Sequence, residues 1–141
     1  MSRKVFETQD DRKNESDIAD LVADKWRVEM QKLPMSQRLD FAMLRKGKVA
    51  ALCEIKKRSF TWNDYPDVIL SASKVKYAKE MYEIYGVKSF FVVSDRQNDI
   101  RYASIHDVNY ELQFGGRTKT PRDNQDSELI VGISIYDFER L

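Results

Sequence analysis

Thiol and imidazole side chains are nearly absent from this 141-residue chain, which holds one cysteine, Cys53, and one histidine, His106. A lone cysteine excludes an intramolecular disulfide framework and a cysteine-based zinc cluster. A lone histidine excludes a His-Glu-x-x-His site and any histidine-rich ligand set within one chain. No apolar run approaches the roughly 20 residues that a membrane-spanning helix needs. The opening segment, Met1-Ser2-Arg3-Lys4-Val5-Phe6-Glu7, lacks a signal-peptide apolar stretch. The expectation is a soluble protein of a reducing compartment, the cytoplasm, with no membrane partner. An excess of one charge is also missing: 24 Lys and Arg stand against 23 Asp and Glu, for a net charge of +1. That balance excludes a polybasic arm that holds nucleic acid by bulk charge, but leaves room for a local basic patch beside an acidic site.

What is present suits a packed core. Hydrophobic residues make up 42%, charged residues 33% and aromatic residues 11% of the chain, so residues 1–141 are expected to form a single domain rather than a disordered chain. Residues 7–14 are polar and read as a mobile lead-in. Asn14 suits a helix N-cap, with Asp17 as a weak capping-box partner, and the helix is predicted over about residues 15–31. Ile18, Val22 and Trp26, with Leu21 beside them, form its buried stripe, and Pro34 stops it. Residues 37–45 and 49–56 flank Lys46-Gly47-Lys48 and read as a β-hairpin. Residues 59–64 read as a loop. A second helix is predicted over residues 67–85, with Pro66 near its start and Gly86 closing it. Strands follow at 88–94 and 100–105, then a loop at 115–126 and a last strand at 129–136. Helices between strands in so short a chain imply α/β architecture, a mixed sheet with helices packed on it.

The informative residues are Asp40, Glu54 and Lys56. Glu54 and Lys56 are two apart on a strand and share a face. A carboxylate and an ammonium near the end of an apolar strand need a reason, because burying either alone is costly. The hairpin register decides whether Asp40 joins them. A two-residue turn at Lys46-Gly47 sets Asp40 opposite Cys53 and sends Glu54 to the wrong face. A three-residue turn pairs Arg45 with Val49 and sets Asp40 opposite Glu54. A shared site therefore demands an odd loop or a bulge. Glu15 extends the set, because it lies on the stripe of Ile18 and Val22 and could reach the sheet edge where Asp40 emerges. Three converging carboxylates and a lysine suit a hard divalent cation such as Mg²⁺.

Asp40, thirteen intervening residues and Glu54-Ile55-Lys56 resemble the D…(D/E)xK signature of the PD-(D/E)XK nuclease superfamily. Glu15 on the preceding helix resembles the extra acidic residue of many members, including Holliday-junction resolvases. Residue 39 is Leu, so the literal Pro-Asp pair is missing. Residues 65–74 and 133–138 are similar to small phage-encoded members. The resemblance implies a restriction-endonuclease-like αβββαβ core over roughly residues 14–105. Its first core strand is either a short piece near residues 34–38 or displaced by one strand in the order. It further implies phosphodiester hydrolysis on DNA with Mg²⁺ or Mn²⁺, by structure-specific or general cutting. Asp40, Glu54 and the Ile55 carbonyl would ligate the metal. Lys56 would orient or activate water, and Glu15 would hold a second metal or a metal-bound water. A homodimer would present two sites to two strands, and a phage-encoded chain would work in its host's cytoplasm. The alternative is a catalytically silent nucleic-acid-binding module on the same fold.

Each residue also has a plainer reading. Asp40, Glu54 and Lys56 could form a solvated ion-pair ladder of little energetic weight, and Glu15 could merely favour its helix dipole. Lys74 lies on the apolar face of the second helix and either reaches the site or snorkels over the core. Ser73 and Ser71 are weaker versions of the same idea. Lys57, Arg58, Arg117, Lys119 and Arg122 are candidate phosphate contacts or ordinary solvated charges. Phe60 and Trp62 could stack on an unpaired base or anchor their loop. His106 and Cys53 read as structural.

Overall fold

The computed structural model describes residues 9–116 and 127–141, with side chains over 14–115 and 128–141. Helix α1, Gln9–Trp26, starts ahead of the predicted cap. Asn14 therefore lies inside the helix, and residues 9–14 are helical rather than a lead-in. Residues 7 and 8 fall outside the described part. Ile18, Ala19 and Val22 are buried along one stripe, and it is this docking rather than local capping that sustains the helix. α1 also ends earlier than expected. Arg27 takes a left-handed φ of 54°, and the chain emerges as strand β1, Glu29–Lys32. β1 supplies the first core strand from residues whose local pattern continued the helix, because pairing with a neighbouring strand outweighs helix propensity. Pro34 and the residues after it form instead a 3-10 turn at Met35–Gln37.

β2, Phe41–Arg45, and β3, Lys48–Lys57, form the hairpin. Its turn has two residues, with Arg45 paired to Lys48. Lys46 and Gly47 both have positive φ, 53° and 75°, the backbone of a type I′ turn. The register then shifts: Leu44 pairs with Val49 but Met43 pairs with Ala51, leaving Ala50 as a bulge. Phe41 consequently faces Cys53, and Asp40, one residue beyond the last paired position, lies on the side of the sheet where Glu54 feels its charge. The bulge, not a three-residue turn, satisfies the register condition.

Residues 67–71 are not the start of the second helix. They form β4, Asp67–Ser71, and α2 runs only over Ala72–Tyr85. Val68 and Leu70 alternate inward, a period of two that a half-buried strand requires. Gly86, at φ 68°, closes α2 as predicted, its N–H donating to Tyr82 O at 2.9 Å. β5, Lys88–Ser94, and β6, Ile100–Ser104, lie where expected. β7, Leu112–Gly116, was not legible and absorbs the first residues of the predicted 115–126 loop. β8, Ser127–Ser134, and a short β9, Glu139–Arg140, complete the order.

The main sheet has six strands in the order β1-β2-β3-β5-β6-β9. β3 and β5 are parallel and the other neighbours antiparallel. β4, β8 and β7 make a second, antiparallel sheet. The fold is thus mixed α/β, an αβββαβ core with β4 inserted ahead of α2. α1 covers one face of the main sheet, over Phe41, Met43, Cys53 and Ile55. On the other face Val75 and Ala78 of α2 pack with Val68, Leu70, Val131 and Ile133 of the second sheet against Leu52, Phe91 and Val93. Burying a side chain such as Ile55 or Phe91 stabilises by roughly 1.5–3 kcal/mol. β3 is central, so it is covered on both faces, and its C-terminal end carries the acidic motif into the core.

Candidate active site

Strand alternation sends Cys53 and Ile55 toward α1, and Leu52, Glu54 and Lys56 toward α2. Cys53 is fully buried, a small hydrophobe as expected. Burial, then the nearby Asp40 and Glu54 carboxylates, push its thiol well above the ordinary range. Glu54 is also fully buried. Its Oε2 meets Lys74 Nζ of α2 at 2.5 Å and Lys56 Nζ at 3.7 Å. Its Oε1 is buried with no hydrogen-bond partner among the described residues. Burial and then the Asp40 carboxylate raise the Glu54 carboxyl to about 7, against the opposing pull of Lys74 and Lys56.

Asp40 sits one residue before β2. Its N–H donates to Cys53 O at 3.1 Å, and its Oδ2 accepts the Ile55 N–H at 2.9 Å. Groups of one residue in a strand point the same way, so the Ile55 carbonyl faces the same side, where β2 has not yet begun. Asp40 is thus tied to the Ile55 backbone and lies near enough to Glu54 for its charge to act on that carboxyl. Glu15 does not join them in a cage of three carboxylates. No group of three or more His, Cys, Asp or Glu side chains poised to hold a metal occurs among the described residues. The link instead runs through Lys32 of β1, whose Nζ lies 3.3 Å from Glu15 Oε2 and 3.8 Å from Asp40 Oδ1. Nothing in the sequence points to Lys32. A lysine ending an exposed four-residue strand has no pattern of its own, and only the pairing of β1 with β2 brings it to Asp40.

The other candidates divide. Lys74 reaches the cluster rather than snorkelling away. Arg58 lies near Glu54, and its guanidinium donates to Ile69 O of β4 at 3.1 Å. Burial pulls the Arg58 pKa down, opposed by the Glu54 charge. Ser73 lies exposed in the first turn of α2, 2.9 Å from the Ser71 hydroxyl. Lys57 is not brought to the cluster: it follows Lys56 on the strand, faces the other way, and donates to Asn98 in the β5–β6 turn. Arg117, Lys119 and Arg122 lie outside the described residues. Trp62 is an anchor, not a stacking platform. It is buried against Phe138, donates Nε1–H to Asp99 O at 2.8 Å, and lies under the Arg101 guanidinium. Phe60 packs on Trp62. His106 is buried and accepts the Ser89 N–H at 3.0 Å through Nδ1, a structural role.

A buried anionic oxygen without a partner costs free energy unless positive charge meets it. Glu54 Oε1 is such an oxygen, and Asp40 beside it adds like charge. Carboxylate and carbonyl oxygens are what hard divalent cations take, so these residues fit one.

The chain belongs to the family described as "Phage putative PDDEXK endonuclease", whose model matches residues 1–141. Among curated proteins no sequence matches it. Among solved structures it is similar to Hjc, a Holliday junction resolvase from the archaeal hyperthermophile Archaeoglobus fulgidus. That likeness has 14% identity and a TM-score of 0.49, over 83% of this chain and 81% of that one.

Proposed function

We propose that the chain hydrolyses phosphodiester bonds of DNA with a divalent cation, Mg²⁺ or Mn²⁺, held by Asp40, Glu54 and the Ile55 carbonyl. The observation that carries the reading is Glu54 Oε1, buried and without a hydrogen-bond partner among the described residues, within reach of the Asp40 charge. When bound, such a cation supplies Lewis-acid activation of water and neutralisation of phosphoryl charge. The chain's own residues do the rest. Asp40 is held in place by the Ile55 N–H, so its free lone pairs stay oriented toward the site. Lys56, two residues from Glu54 and partly exposed, orients the attacking water and offsets charge that develops on the phosphate. Lys74 and Arg58 approach Glu54 from α2 and from the end of β3, and supply positive charge for the scissile or a neighbouring phosphate. Ser73 lies on the exposed side of the same helix turn, where a strand following Lys74 would pass. Glu15 reaches Asp40 through Lys32, whose ammonium lies near both carboxylates.

The test is incubation of the protein with end-labelled duplex, single-strand, flap and four-way-junction DNA, with Mg²⁺, with Mn²⁺ and with EDTA. Cleavage is expected with metal alone, falling at least about 100-fold in Asp40→Asn, Glu54→Gln and Lys56→Ala. DNA binding without cleavage of any substrate under either metal would replace this reading with that of a silent binding module.

A further inference from the structure

Lys32 stands where two carboxylates from different elements converge. Glu15 comes from α1 and Asp40 from the end of the hairpin. Both approach one ammonium, Glu15 Oε2 at 3.3 Å and Asp40 Oδ1 at 3.8 Å. The lysine is not placed there by chance of rotamer. It pairs with Phe41 in the β1–β2 register, and its Nζ lies 5.0 Å from the centroid of the Phe41 ring. The next residue is tied as well, Leu33 N–H donating to Asp40 O at 2.8 Å. The strand backbone, the aromatic face and two carboxylates together hold the charge at one point.

We propose that the Lys32 ammonium fills the position between Glu15 and Asp40 that a second divalent cation would need, so that this chain binds one cation rather than two. The inference rests on the cation reading of Asp40 and Glu54 above. An ammonium and a divalent ion held between the same two carboxylates compete, since both are cations and both draw on the lone pairs that face that position. A tethered ammonium also competes at a high local concentration whatever the solution contains. Mg²⁺ demands near-octahedral oxygens at about 2.0–2.1 Å and gives up its waters reluctantly, so it is poorly suited to displace a lysine already in place. Asp40 is thereby divided between two tasks: Oδ2 is fixed by the Ile55 N–H, and Oδ1 lies toward Lys32. Lys32 is a positioning residue that sets the ion count.

Mn²⁺ binding, followed by the electron paramagnetic resonance of free Mn²⁺ and by calorimetry, tests this on the full chain without DNA. Wild type is expected to bind one ion. Lys32→Met keeps the stem over Phe41 and removes the charge, and is expected to bind two. Adding Glu15→Gln to Lys32→Met should return the count to one. Melting curves without metal establish that each variant is folded, and Lys32→Gln serves if Lys32→Met is not. Two ions in wild type, or one in both wild type and the folded Lys32 variant, would overturn the inference and leave the cation site standing. No Mn²⁺ bound by wild type would remove the cation reading itself, and the inference with it.

Discussion

Lys74 of α2 places its ammonium 2.5 Å from Oε2 of Glu54, a carboxylate of zero solvent exposure on the central strand. The contact joins the second helix to the acidic motif, and it is the strongest counter-charge the buried carboxylate has. Breaking one side of such a pair leaves the other poorly compensated. Lys74→Met is therefore expected to destabilise by about 1–3 kcal/mol, moderated because Lys56 remains nearby. Urea unfolding measures it. Combined with Glu54→Gln, the loss should be smaller than the sum of the singles, and an additive pair would show that the contact carries no energy.

Cation binding should appear as stability. At about 100 times its dissociation constant, Mg²⁺ or Mn²⁺ is expected to add about 2.7 kcal/mol, several degrees in Tm. Asp40→Asn can still accept the Ile55 N–H and Glu54→Gln keeps its shape, so both should fold. Both should lose the metal-dependent rise in a thermal shift. An equal rise in all three proteins would mean that the ion binds elsewhere.

The hairpin turn offers a separate check on the register. Lys46 carries a positive φ that a lysine adopts at a cost, and Gly47 carries one freely. Lys46→Asn creates the Asn-Gly pair favoured in type I′ turns and should stabilise by about 0.5 kcal/mol. Gly47→Val should destabilise by roughly 1–2 kcal/mol. Chemical denaturation decides both. A tolerated valine would mean that the turn is not type I′.

Alkaline pH should weaken the protein partly through Tyr110. Its hydroxyl donates to Ser104 O at 3.0 Å. Burial first, then Asp137 and Asp107, push its pKa up to about 12. A group whose folded pKa is raised contributes stability that is complete below its unfolded value, about 10 for tyrosine. That contribution is lost as pH climbs through the folded value. Between pH 10 and about 12, wild type should lose stability more steeply than Tyr110→Phe, as read from urea midpoints. Parallel curves would exclude the effect.

The sequence by itself determined which residues share a strand face and the parity their meeting requires. Asp40, Glu54 and Lys56 were legible because a strand's period of two puts Glu54 and Lys56 on one face whatever surrounds them. The condition that the hairpin must gain or lose one residue of register followed from the same period. The helix stripe of Ile18 and Val22, the glycine stop at Gly86 and the apolar strand over residues 88–94 were equally local. The tertiary structure decided the rest. Residues 29–32 and 67–71 are strands at the borders of helices because β2 and β8 offer them hydrogen bonds, and no local pattern names a partner distant in sequence. The bulge at Ala50 leaves no mark in composition, since one unpaired residue costs little and its benefit falls on Asp40, ten positions away. Lys32 looked like any solvated lysine, and Lys74, on the apolar face of its helix, could either reach the site or snorkel over the core. Their ammonium groups acquire meaning only where the fold brings Glu15, Asp40 and Glu54 to them, and alternation turns Lys57 away from Glu54 toward Asn98.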